Sequence, residues 1–232
     1  MIVSINQPAY LPWLGYFERI INSDLHIVLD HVQFEKNSFT NRNKIRTQKG
    51  WMWLSVPVKT KGKFGELNIN ELEIDNTSRW TKKHWESIRS NYAKAKYFSE
   101  YAPHFEKIYT TERPRLNDLM LEIIKYLLII FDIKTSLLYS SEMNIEGKKD
   151  ELVLNLCKSV GATVYLSGSQ GRNYLDEFSF EKEGVKLIYQ DYHHPEYSQV
   201  YPGFEPYMAA IDLLFNCGPH SRNIILNNQE KA

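Results

Sequence analysis

Residues 2–17 read IVSINQPAYLPWLGYF and residues 26–29 read HIVL, and the fold follows from how these two stretches are read. Ile2-Val3-Ser4-Ile5 is a short apolar run that suits a buried strand. Gln7-Pro8 ends it, because proline lacks an N–H and biases its predecessor toward extended backbone. Proline is tolerated in a first helical turn, so a helix is predicted to start near Pro12-Trp13. Its apolar positions Leu14, Phe17, Ile20 and Ile21 recur at helical spacing and form a stripe to bury. Asn22-Ser23-Asp24 closes it, and residues 26–29 read as a second strand. Strand, loop, helix and strand within about thirty residues predict a right-handed βαβ unit and a parallel sheet.

Residues 37–49 are polar, basic and non-periodic, which predicts a loop. Residues 51–58 alternate as a strand, 59–65 form a glycine-containing basic turn, and 67–74 read as a shorter strand. Ser78 is placed to cap a helix in which Trp80, His84, Ile88 and Tyr92 share one face. Two more helices are predicted over 97–110 and 115–131, either side of Arg113-Pro114. Strands over 136–139, 163–166 and 185–190 then alternate with helices over 148–160 and 206–215. The predicted layout is one α/β domain over 1–232. Both ends of the chain form a mostly parallel sheet, with a helical insert near 78–132.

The 232 residues hold 28 basic and 28 acidic side chains, which argues against a broad nucleic-acid-binding surface but leaves room for a small anion site. A hydrophobic fraction of 43% is enough for a packed core and excludes general disorder. Cys157 and Cys217 cannot build a disulfide scaffold and read as reduced thiols, so a cytoplasmic protein is expected. The N-terminus lacks the pattern of a signal peptide. The most apolar run, 116–133, is interrupted by Asn117, Asp118, Glu122, Lys125 and Asp132, so a core helix is expected rather than membrane insertion.

Four segments carry candidate chemistry. QPAYLPWLGYF (7–17) lies between the first strand and first helix, where open α/β sheets place ligand loops. Trp13-Leu14-Gly15-Tyr16 is similar to the HxGH turn of HUP-class nucleotidylyltransferases and adenylate-forming ligases, with Trp13 and Tyr16 where the histidines would stand. That similarity implies a Rossmann-like, nucleotidylyltransferase-like sheet. Gly15 would let backbone approach a ligand at a helix N-terminus, and Gln7, Tyr10, Gly15 and Tyr16 become binding candidates. A tight turn packed with aromatics is the alternative.

Asn41-Arg42-Asn43, after Asp30-His31-Val32-Gln33-Phe34, offers amides and a forked guanidinium suited to phosphate or carboxylate. Asp30, Gln33, Asn41, Arg42 and Asn43 are therefore binding candidates, with a solvated basic loop as the alternative. In YLSGSQGRNYL (165–175), Ser167, Gly168 and Gly171 can present successive backbone N–H groups to an anion, and Tyr174 lies beside them. The lysine and spacing of a P-loop are absent.

The fourth segment joins QDYHHPEYSQ (190–199) to IDLLFNCG (211–218). Adjacent histidines diverge on extended backbone and no further ligands stand at metal spacing, so no metal is expected. His194 is a candidate general base, oriented by Asp212 or Asp191. Cys217 is either a nucleophile or an inert core thiol, and Asn216 could serve an oxyanion.

In this order the four segments, with DHVQF, NRNKI and WLSVPV, resemble the WbqC-like protein family of bacterial surface-polysaccharide gene clusters. The resemblance implies O-antigen or capsule biosynthesis, with an acyl or aminoacyl group passing from a free or carrier-protein-bound donor to a nucleotide-linked amino sugar. It names no cofactor and no catalytic roles. A HUP-type carboxylate-activating ligase and a non-catalytic sugar-nucleotide binding or assembly module are the alternatives. Phosphate grips are expected at Arg42 and residues 168–171, and the base at His194.

Overall fold

The computed structural model describes residues 1–60, 62 and 67–226. Its elements run β1 (Ile2–Asn6), α1 (Leu14–Ile21), β2 (Leu25–Val28), β3 (Arg42–Thr47), β4 (Gly50–Ser55), α2 (Trp80–Tyr92), α3 (Phe98–Thr110) and α4 (Leu116–Ile130). They continue with β5 (Ser136–Tyr139), α5 (Lys149–Ser159), β6 (Val164–Ser167), α6 (Glu177–Lys182), β7 (Lys186–Tyr189), α7 (Ala210–Cys217) and α8 (Ser221–Ile225). Five of the strands form one parallel sheet in the order β5-β2-β1-β6-β7. The predicted pairing of the chain's two ends is direct, with Val3 opposite Leu25 on one side and Tyr165 on the other.

Strand side chains alternate between faces, and here the alternation sorts them into different environments. Val3, Ile5, Ile27 and Tyr165 join Leu152, Val153 and Leu156 of α5 and Phe180 of α6 in one core. Ser4 and His26, opposite one another in register, lie on the other face, where the ring of Tyr16 from α1 packs 5.8 Å from that of His26. Helices thus cover both faces, the doubly wound Rossmann-like arrangement. The α2–α4 insert lies outside the βα alternation. It packs with α1 and α7 in a second core that includes Phe17, Ile88, Phe105, Leu119, Ile123 and Phe215.

The cap expected at Ser78 is not made, since Arg79 stands at the N-cap of α2 with no side-chain capping bond, and two predicted elements change character. The basic stretch read as a loop contains β3, antiparallel to β4 with Arg42 opposite Ser55 and Lys44 opposite Trp53. Its inward positions Asn43 and Ile45 are fully buried, and its cations lie over indoles, Arg42 at 4.4 Å from the Trp53 ring and Lys44 at 5.0 Å from Trp51. Stacking on aromatic faces lets a charged strand resemble a solvated loop in sequence. Residues 67–74 form no strand but one 3₁₀ turn at Ile69–Glu71, with isolated bridges at Asn68, Glu73 and Ile74. The turn predicted over 59–65 falls mostly outside the described residues. No helix among those described is long and apolar enough to cross a membrane.

Candidate functional site

The sheet order reverses between β1 and β6, so the crossovers from these two strands diverge and leave a crevice at their carboxyl ends. The chain leaving β1 is pinned there: Tyr10 N–H donates to the carbonyls of Phe39 and Thr40 at 3.2 and 3.1 Å. The Trp13 ring lies 5.2 Å from Phe39 and edge-on to Tyr16. The result is a cleft of about 270 Å³ walled by Asn6-Gln7-Pro8, Trp13, Ser38-Phe39-Thr40, Tyr165 and Tyr174. Aromatic walls with a few polar groups are the usual make-up of a small-ligand site. The Nδ2 of Asn6 is buried in this wall with no hydrogen-bond partner, and such donors are rare in native interiors. Tyr174, 51% exposed, forms the open rim.

Two other polar clusters lie outside the cleft lining. Asp30 is buried, and its carboxylate accepts from Ser140 and Ser141 hydroxyls, the Ser141 N–H and Asn117 Nδ2. It links the ends of β2 and β5 to α4. Asp212, wholly buried in α7, accepts from Tyr92, Tyr197 and Gln199 at 2.8 Å each. Burial pushes its carboxyl pKa up, opposed by those three donors.

The fourth predicted segment is arranged differently from expectation. Among the described residues Asp212 makes no hydrogen bond to His194. Both imidazole nitrogens face backbone: Nδ1 lies 2.9 Å from the Pro195 carbonyl, and Nε2 accepts from Tyr207 N–H at 3.1 Å. That pattern assigns the proton to Nδ1. Asn216 donates to the Asp212 carbonyl within α7 at 2.7 Å. The Cys217 thiol is pushed up to about 11, first by burial and then by the Asp212 charge, so it is a thiol rather than a thiolate at neutral pH. Among the described residues no group of three or more His, Cys, Asp and Glu is placed to hold a metal ion.

The WbqC-like family model matches residues 7–224. The chain belongs to the WbqC-like protein family. A further relative of this WbqC-like chain, the uncharacterized protein Rv1507c of Mycobacterium tuberculosis, is 37% identical over 218 residues, covering 93% of this chain and 94% of that protein. No solved structure matches the chain.

Within the WbqC-like motif QPAYLPWLGYF the residues divide between two tasks. Gln7 and Trp13 line the cleft, whereas Tyr10 is buried and its hydroxyl meets His84 and Tyr109 of the insert. At Gly15 the close backbone approach is made by the protein's own Tyr192. An added Cβ would lie 2.9 Å from that ring, and Gln190 donates to the Gly15 carbonyl at 2.7 Å. Gly15→Val is therefore expected to lower stability by about 1–3 kcal/mol through overpacking. A melting temperature unchanged from wild type would refute that packing role.

Of the remaining WbqC-like candidates, only Tyr174 lines the cleft, with the 167–171 turn adjacent to it. Added Cβ atoms would meet Arg19 at Gly168 and the Ser167 hydroxyl at Gly171, so both glycines serve internal packing. Arg42 bonds the carbonyl and side chain of Asn37, and Asn41 holds the Val56 carbonyl. Asn43 bonds the Leu11 carbonyl, while Gln33 is exposed on a bridge to Asn68. Asn6, Phe39 and Arg19 lie outside the binding candidates legible in the sequence, and Tyr165 opens one of the candidate segments without being singled out. Asn6 had a usable signal, being the last polar residue of the first strand.

Proposed function

We propose that this chain binds a nucleotide-linked amino sugar in the switch-point cleft and acts in bacterial surface-polysaccharide biosynthesis, transferring an acyl or aminoacyl group to the sugar amine. The observation that carries the binding part is the cleft itself. An unpartnered Asn6 amide, Gln7 and Thr40 face aromatic walls that can stack on a sugar or base. The polysaccharide setting is part of this proposal and rests on the resemblance carried by the sequence motifs.

A thermal-shift panel tests this reading, because a ligand that binds only the native state stabilises it by about 2.7 kcal/mol at a hundred times its Kd. Uridine- or thymidine-linked amino sugars are expected to raise the melting temperature, and Asn6→Leu to remove most of the rise. A rise with ATP alone would point instead to carboxylate activation, and no rise with any of them would overturn the reading.

Binding without chemistry is a second reading, favoured by the occupied nitrogens of His194 and the protonated Cys217. For His194 to act as a base its Nε2 must be released by Tyr207. Tyr207 is exposed and sits at φ +62°, a left-handed conformation that costs a non-glycine residue about 1–3 kcal/mol, so releasing this bond would also allow backbone strain to relax. Turnover of an acyl donor by a protein that binds the sugar, lost in His194→Gln with binding retained, selects transfer. Binding with no turnover selects the second reading.

A further inference from the structure

Arg19 is the most anomalous side chain in the fold. It is 6% exposed, its Nε is buried without a partner, and no ion pair among the described residues includes it. Glu18, the neighbouring carboxylate, is engaged elsewhere, by Asn22 and Gln190. A buried guanidinium that makes no ion pair is costly, and burial depresses its pKa, with nearby groups that include the Glu18 charge opposing the shift. A buried polar group left unsatisfied calls for an explanation, and an anionic ligand supplies one.

Its surroundings show where. The guanidinium packs on Gly168, the first residue past the carboxyl end of β6, so closely that any Cβ there would collide with Nη1. Arg19 and Gly168 stand behind the residues that wall the cleft, and two of those walls, Tyr165 and Tyr174, lie within electrostatic reach of the guanidinium. Two further buried polar atoms nearby also lack partners, the Tyr16 hydroxyl and His26 Nε2. On the cleft side Asn6 Nδ2 is another unpartnered donor. An oxyanion is the group that satisfies a forked cation and several donors together.

We propose that Arg19 is the anion anchor of the switch-point cleft, holding an oxyanion of the ligand beside Gly168. This rests on the cleft as the binding place and deepens the reading above: the ligand presents a phosphate, as the diphosphate of a nucleotide-linked sugar would, or a carboxylate. The absent side chain at Gly168 makes room for the guanidinium. Arg19 comes from the last turn of α1 and not from the basic cluster at 41–46, whose Arg42 is already held by Asn37.

Inorganic pyrophosphate and acetate separate the two sources. Affinities are read from melting temperature and from ³¹P line broadening for pyrophosphate, at fixed ionic strength. Pyrophosphate is expected to stabilise wild type. Arg19→Met should weaken its binding at least tenfold while melting, without ligand, no lower than wild type, since an unpaired buried charge is removed. Gly168→Ala should weaken binding similarly with the charge retained, by displacing the guanidinium. A response to acetate but not pyrophosphate, lost in the same variants, assigns the anchor to a carboxylate. If neither anion binds wild type, or Arg19→Met binds within twofold of it, the anchor is overturned. Should Arg19→Met fail to fold, unchanged pyrophosphate affinity in Gly168→Ala overturns it instead. Loss of the anchor with an intact amino-sugar-nucleotide response leaves the cleft reading standing. An Arg19-dependent pyrophosphate response without a sugar-nucleotide response keeps the anchor and removes the sugar.

Discussion

Asp212→Ala is expected to unfold the protein or to lower its melting temperature by roughly 10 °C or more. The carboxylate is wholly buried and accepts from the hydroxyls of Tyr92 and Tyr197 and the amide of Gln199. Truncation leaves the Tyr92 and Tyr197 hydroxyls without their acceptor and Gln199 Nε2 with only the Glu205 carbonyl, and each buried unsatisfied group costs about 1–3 kcal/mol. The damage spreads, because the Tyr92 hydroxyl also accepts from the Arg46 N–H at 2.9 Å. That small network joins α2, β3 and α7. Total stabilities run about 5–15 kcal/mol, so a loss of this size removes much of the margin. Asp212→Asn keeps one acceptor oxygen and should be markedly milder. An Asp212→Ala protein melting within about 2 °C of wild type would show that the donors find other partners.

That Asp212 matters for folding, where the sequence suggested a partner for His194, shows what was legible and what was not. The parallel sheet could be read because the signals were local: apolar runs of strand length, each bounded by proline, glycine or polar residues. Residues 136–139 were read with the bounds they have in the structure, and α4 to within a residue at each end. The β3 strand was hidden because its cations cover tryptophans that lie several residues on, a tertiary fact that leaves no mark on a local window. Asp212 lies on a helix flanked by apolar residues, where a lone acid looks like a catalytic orienter as much as a buried acceptor. Its three donors come from sequence separations of 13 to 120 residues, and no spacing rule brings them together.

The cleft was half legible. A loop after the first strand of an open α/β sheet is a ligand position on topology alone, and Gln7 and Tyr174 line it. At Gly15 the close approach is made by Tyr192, 177 residues further along the chain, which no local window brings together. Arg19 escaped notice because a cation within a helix is ordinarily a solvated one. The trace it left is its place three residues after Tyr16, on the same helical face as a ring that is buried.

Acidification should destabilise this protein steeply, and His26 should account for a large part of it. The ring is 1% exposed between β1 and β5, with Nδ1 2.8 Å from the Ser4 hydroxyl and Nε2 unpartnered. Burial first, and the Arg19 charge second, push its pKa down to about 3 from 6.5. Between those values the unfolded chain binds a proton that the native state refuses. Stability contributed by the neutral ring is therefore complete above pH 6.5 and falls as pH drops toward 3, at up to about 1.4 kcal/mol per unit. His84, pushed down to about 4 mainly by burial, adds to the same limb. Denaturant unfolding at pH 7 and pH 5 is expected to show a loss smaller by about 2 kcal/mol in His26→Asn than in wild type. Parallel losses in the two proteins would mean that the native ring titrates near its ordinary value, and the burial account would fall. The second cause makes the measurement informative about the anchor too. An oxyanion beside Arg19 offsets the charge that helps to depress His26, so pyrophosphate should soften the acid limb of wild type and leave that of Arg19→Met unchanged.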